Sequence, residues 1–192
     1  MNNISLKQYK AIDLGILAVI LFVAETITAK AANVWFPEQL YTLSPTIAVV
    51  CIVMMRWSGF AAIHAVLGGV AFCIASGAST EQFAIYCAGN LLMLIPLVMI
   101  KLLGKQKIMN SIPLTICYTV LAFLGAQTGR WLVSLFFGGA ADSIIMFIAT
   151  DLITLLFSIV ITLISRKVDG LFEDQKAYLI RTEAERLRER SE

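Results

Sequence analysis

Polar residues cut this chain into apolar runs close to twenty residues long, and that pattern leaves few ways to fold. A run of that length matches the roughly 20 residues a helix needs to cross the ~30 Å hydrocarbon core of a bilayer. Inside that layer only helices or closed barrels satisfy every backbone polar group. Read as helices, the runs fall at about 11–33, 40–56, 59–77, 81–103, 110–137 and 141–165, joined by short loops. The expected fold is therefore an all-α membrane protein, a bundle of six transmembrane helices over 1–165 followed by a charged tail, 166–192. Composition agrees: 59% of the residues are hydrophobic, 15% are charged, and the mean hydropathy is +0.83. A chain of 192 residues built this way has no room for a large soluble domain. Its formal charge of only +2, with no basic stripe outside the loops, argues against a nucleic-acid partner.

The placement of charge orients the bundle. Of fifteen Lys and Arg residues, all but Lys30 and Arg130 fall on one side when the chain is cut into six spans. Lys7 and Lys10 precede the first span, Arg56 separates the second and third, and Lys101, Lys105 and Lys107 separate the fourth and fifth. Arg166, Lys167 and the tail follow the sixth, whereas the opposite loops carry Glu38, Glu81 and Asp142. Basic loops stay in the cytoplasm, so both termini are expected there, in a multi-pass cell-membrane protein. The first span imitates a secretory signal, with a small-x-small site at Ala29-Lys30-Ala31. Its length, with Asp13 and Glu25 inside it, favours a retained span. The tail from Arg166 holds seven basic and seven acidic residues, and Val168, Leu171, Phe172, Leu179 and Leu187 mark a weak apolar face. It reads as a short, solvated, self-neutralising helix that ligand capture does not need.

Ionisable residues within spans are costly, so each is by default a functional candidate. At 1.5 Å rise per residue, Asn90 lies about 14 Å from the outer end of span four. Gln127 and Arg130 lie about 10–15 Å into span five, Asp151 about 15 Å into span six, and Glu25 about 12 Å into span one. Polar groups from four spans thus meet in one layer of the outer half. Tyr86 and Asn90 share a face, as do Gln127, Arg130 and Trp131, and as do Phe147, Asp151, Thr154 and Ser158. Aromatic rings beside hydrogen-bonding groups suit a small polar ligand containing a ring. Arg130 offers a rigid fork of donors to a carboxylate, phosphate or carbonyl, and Tyr86, Trp131 and Trp35 offer faces for a ring. The bland alternative is that Arg130 and Asp151 simply neutralise each other. A ligand bridging the pair would reconcile the two.

Other residues read as structural. Lys30 can snorkel to the outer surface. His64 reads as a packing or interface residue, and Cys51, Cys73, Cys87 and Cys117 as small apolar packing groups. One histidine and no paired cysteines leave no expected metal site, and no cofactor is expected. Pro96 and Pro113 start or kink helices. Small residues in spans three (Ala61, Ala62, Ala65, Gly68, Gly69) and five (Gly125, Ala126, Gly129) suit close packing within the bundle. The stripe Ala11, Gly15 and Ala18 can face another subunit instead. No P-loop, H-E-x-x-H or G-x-S-x-G is present, so no catalytic residue is expected, and energy for any uphill transport must come from a partner.

Three stretches carry a family resemblance: Ala11, Gly15 and Ala18; Leu40-Tyr41-Thr42-Leu43-Ser44-Pro45; and Arg56-Trp57-Ser58-Gly59-Phe60-Ala61-Ala62 with Gly68-Gly69 after it. Over spans one to six the chain resembles the substrate-binding S component of an energy-coupling factor (ECF) vitamin transporter. The resemblance implies a vitamin or related micronutrient captured from outside by spans four to six and the outer loops. It also implies docking of span one on a membrane coupling subunit served by two ATPases. The charged tail departs from the family pattern. Rod-shape scaffolds of the MreD type are similar in size and topology and form the alternative, but a scaffold has no need of the polar layer. An intramembrane enzyme is third, for want of a nucleophile–base pair.

Overall fold

A computed structural model describes residues 5–35 and 42–189, with Asn33 and Trp35 described by their backbone only. Among the described residues every regular element is helical. The helices are α1 (Leu6–Trp35), α2 (Thr46–Trp57), α3 (Ala61–Ser76), α4 (Thr80–Gly89), α5 (Pro96–Leu103), α6 (Lys105–Asn110), α7 (Ile112–Phe136), α8 (Ser143–Thr150), α9 (Leu152–Ser165) and α10 (Gln175–Glu189). Four helical stretches are long and apolar enough to cross a membrane: Leu6–Ala32, Thr46–Ser76, Thr80–Leu103 and Ile112–Phe136. Helices α8 and α9, bent by 48° at their junction, make a fifth if they count as one broken span. By length and composition the structure thus supports four or five crossings where the sequence predicts six. The difference arises at α2 and α3, whose 12 and 16 residues are each shorter than a full span. They are the arms of a hairpin. Ser58, at φ 53° and ψ −120°, reverses the chain into a 3₁₀ turn, Ser58–Phe60, and Thr46 at one end of α2 lies against Gly68 in α3.

Residue pattern explains who sits where. Helix α2 is apolar on every side, and a helix of that kind belongs in the centre. Ile47, Val50, Cys51, Val53, Met54 and Met55 are all fully buried. Helix α1 does the opposite. It packs on α3 along one face and turns Ile12, Ile16, Val19, Ile20, Val23 and Ile27 outward, a surface compatible with lipid. Helix α3 stops at Gly77, whose φ of +68° is the left-handed cap that glycine accepts most readily. Helix α4 restarts at once from a capping box, in which Ser79 Oγ accepts from Gln82 N–H and Gln82 Oε1 accepts from Ser79 N–H.

Two interruptions shape the middle of the bundle. After Gly89 the chain tightens into a 3₁₀ stretch, Asn90–Leu94, before Pro96 opens α5. Pro96 has no N–H to give the Leu92 carbonyl, which instead accepts from Ile95 N–H at 3.1 Å and faces Gly125 of α7. The second interruption lies between α8 and α9. The Thr150 carbonyl is free of its helical partner there and accepts from Thr42 N–H at 3.0 Å.

One end of the bundle collects the basic segments. Arg56 forks onto Asp13 with Nε–Oδ2 2.9 Å and Nη2–Oδ1 2.5 Å, and Trp57 Nε1 donates to the same carboxylate at 2.5 Å. Arg56 Nη1 donates to the carbonyls of Gly170 and Leu171. Lys10 lies over the Phe60 ring, Lys105 pairs with Asp174 at 2.6 Å, and Arg166 Nε donates to the Met109 carbonyl at 2.7 Å. The start of the tail therefore differs from the solvated helix expected. Phe172 is fully buried, edge-on to Tyr118 with centroids 6.1 Å apart, and Gln175 donates to Gly170 O while accepting from Tyr9 OH. The exposed parts of the tail are residues 167–169 and most of α10 beyond Gln175. The cause is Arg56: a guanidinium pressed onto the bundle needs acceptors, and the 170–171 backbone supplies them.

Candidate functional site

The site begins with glycines. A Cβ at Gly89 would come within 2.6 Å of Arg130 Cα, and one at Gly129 would overlap the Gly89 carbonyl oxygen. Two missing side chains thus let α4 and α7 touch backbone to backbone. That approach sets Asn90, the first residue past α4, beside Arg130 on α7. Arg130 Nε donates to Asn90 Oδ1 at 2.9 Å, and Asn90 Nδ2 donates onward to the Ala65 carbonyl of α3 at 3.1 Å.

The break at Asp151 supplies the counter-charge. Arg130 Nη1 meets Asp151 Oδ2 at 2.8 Å and Gln127 Oε1 at 3.3 Å, and Gln127 Nε2 donates to Asp151 Oδ2 at 2.7 Å. Asp151 Oδ1 accepts from Thr154 Oγ1 at 2.9 Å and from Thr42 Oγ1. The segment entering α2 closes over this side, with Ser44 N–H donating to Thr154 Oγ1 at 3.0 Å. Arg130 and Asp151 are only 5% and 2% exposed, so the pair is a desolvated one held by additional hydrogen bonds. The Arg130 guanidinium also lies 4.7 Å over the Tyr86 ring, which in turn packs on Phe72 at 4.6 Å.

Glu25 enters from α1. Its Oε2 accepts from Ser44 Oγ (2.7 Å), Thr46 Oγ1 (2.6 Å) and Thr46 N–H (3.2 Å). Its Oε1 is buried and has no hydrogen-bond partner among the described residues. Thr46 fits there because Gly68 has no side chain. A small cavity of about 10 Å³ remains between these groups. Glu25, Thr42, Ser44, Thr46, Gly68, Phe72, Tyr86, Asn90, Arg130 and Asp151 line it.

Of the site residues expected from sequence, Glu25, Tyr86, Asn90, Arg130 and Asp151 face this cavity, and Gln127 and Thr154 stand behind it in the same network. Trp131 and Phe147 do not line it. The Trp131 indole donates instead to the Ala141 carbonyl at 3.0 Å, and Phe147 sits on α8 above the break. The side chain of Trp35 lies outside the described residues. The shared face expected for Phe147, Asp151, Thr154 and Ser158 does not run through, because the helix bends at Asp151 and carries Phe147 onto another axis. Reading the sequence alone misses Thr42, Ser44, Thr46 and Phe72. Thr42 and Ser44 stand in the stretch 40–45 that carries the family resemblance, but nothing in it assigns them to the site, and Thr46 shows only as part of a hydroxyl-rich helix start. The Arg130 fork is largely engaged by protein acceptors, so the hydroxyls and carboxylates around it define much of the cavity chemistry.

At the other end of α1, Ala11 and Gly15 are exposed, Ala18 is half-buried, and a Cβ at Gly15 would meet nothing within 4 Å. His64 is buried, with Nε2 3.1 Å from the Leu14 carbonyl, and ties α3 to α1. No group of three or more His, Cys, Asp or Glu that could hold a metal ion occurs among the described residues. Among the described residues, fold and site together define an all-helical protein with membrane-length apolar helices and a small cavity lined by buried polar groups. No protein-family model, curated protein or solved structure matches the chain.

Proposed function

We propose that this chain is the membrane-embedded solute-binding subunit of an ECF-type importer. It would capture a vitamin-like micronutrient outside the cell and pass it through a membrane coupling subunit driven by two separate ATPases. The observation that carries the reading is the cavity of Glu25, Asn90, Arg130 and Asp151: three charged groups and an amide from four parts of the bundle, buried together around a space they do not fill. Burying so many ionisable groups costs stability, and a scaffold gains nothing from it. In this reading α2 and α3 both cross as a hairpin, α8–α9 is a broken sixth span, and the basic end faces the cytoplasm with both termini. The exposed stripe at Ala11 and Gly15 then meets the coupling subunit. The protein itself is not an enzyme.

The test is capture. The intact protein, purified in detergent from cells grown in rich medium, should release a defined organic solute on denaturation, identified by mass spectrometry. Asn90→Ala and Arg130→Ala, which each dismantle a wall of the cavity, should bind that solute more weakly than the wild type. Absence of any solute, together with co-purification of cell-wall synthesis proteins rather than ATPases, would favour the MreD-type scaffold.

A further inference from the structure

Charge around the cavity does not balance. Two carboxylates line it, Glu25 and Asp151, against one guanidinium, Arg130. Arg130 is committed to Asp151 at 2.8 Å. Glu25 therefore has no cationic partner in direct contact among the described residues, although it is only 1% exposed. One of its oxygens is tied to the entry of α2 by Ser44 and Thr46, and the other, Oε1, accepts nothing there. A buried carboxylate oxygen of this kind is expensive to leave unmade. The hydroxyls of Thr42, Ser44 and Thr46 and the rings of Phe72 and Tyr86 complete the surroundings. Acceptor oxygens beside ring faces suit a cationic N–H group better than an anion. The free space takes one group the size of a water, which is the size of an ammonium head.

We propose that Glu25 Oε1 receives a cationic N–H group of the captured solute, a primary ammonium or a protonated ring nitrogen. This inference rests on the capture reading and narrows it: the solute presents a cation, not a carboxylate or phosphate, to the α1 side of the cavity. Arg130 then acts as a fixed wall that keeps Asp151 from competing for that cation.

The experiment is a melting curve of the intact protein in detergent, at matched ionic strength, in ammonium, methylammonium, sodium and tetramethylammonium chloride. Ammonium and methylammonium should raise the melting temperature saturably, and sodium and tetramethylammonium should not. Glu25→Gln should abolish the difference between the salts. If that variant does not fold, the comparison of salts on the wild-type protein still decides. Equal melting in all four salts overturns the inference and leaves Glu25 as a tie between α1 and α2. Sodium matching ammonium also overturns it, in favour of an alkali-ion site. A captured solute that is a pure anion overturns it as well while upholding capture. An ammonium effect lost in Glu25→Gln, with no solute ever recovered, upholds the cation site and refutes capture, so the two readings fail separately.

Discussion

Arg130 and Asp151 show how much depends on a single buried pair. Each would be prohibitive alone, and together they are held by Asn90, Gln127, Thr42 and Thr154. Removing one partner strands the other, and such losses run to about 3–5 kcal/mol. Arg130→Met and Asp151→Leu should each lower the melting temperature sharply in detergent. Combined, they should cost less than the sum of the singles, with a coupling of about 1–3 kcal/mol. The double variant remains worse than wild type, because Thr42 and Gln127 lose their acceptor. Additive losses in a double-mutant cycle would show that the two charges do not depend on one another.

At the scale of elements, two glycines predict opposite outcomes. Gly129 lies where α7 meets the end of α4, and the atom facing it is a backbone carbonyl that no rotamer change can move. Gly129→Ala should therefore destabilise the fold by about 1–3 kcal/mol, as overpacking does, and push Asn90 away from Arg130. Gly15 faces open space, so Gly15→Leu should melt like wild type. If the α1 stripe meets the coupling subunit, that same variant should fail to assemble the transport complex while still binding solute. Normal assembly and uptake with Gly15→Leu would reject the interface.

Across the whole molecule, the tail belongs to two regimes. Ending the chain after Val168 removes the carbonyls that Arg56 uses, together with buried Phe172, and should cost about 3–5 kcal/mol, the scale of losing a large aromatic from a core. Ending it after Ala177 spares those contacts and should leave melting nearly unchanged. Equal melting of the two truncations would show that the 170–175 segment is only draped on the bundle. The same end should respond to acid through Asp174. Partial burial opposes its ionisation, but the hydrogen bond and charge of Lys105, with the N–H groups of Ala177 and Lys176, hold its carboxyl below its ordinary range. A depressed carboxyl stabilises the fold above its unfolded value, near pH 4, and loses that contribution as pH falls through the lower folded value. Wild type should therefore lose more stability than Asp174→Asn as pH drops below about 4, and parallel pH profiles would contradict this.

Periodicity and charge placement alone determined that this chain is helical, apolar on much of its outside and basic at one end, because apolar runs of that length between charged segments fold in few other ways. They also singled out Glu25, Asn90, Gln127, Arg130 and Asp151, because an ionisable or amide side chain inside an apolar run is conspicuous whatever its partners. Of the partnerships, only that of Arg130 with Asp151 was legible, as opposite charges in one layer. Thr42, Ser44 and Thr46 join the cavity only because α8 breaks at Asp151 and frees a carbonyl for Thr42, and because Gly68 leaves room for Thr46. Trp131 and Phe147 sit at helical spacings that suit the cavity, yet a 48° bend and a hydrogen bond to Ala141 take them elsewhere. The seat of Phe172 depends on a guanidinium more than a hundred residues away in sequence. Spacing along one helix is a local quantity, and sequence carries it. Which helices meet, and which buried charge finds which acceptor, is settled by backbone breaks and glycine contacts between segments far apart in the chain, and those exist only once the bundle has packed.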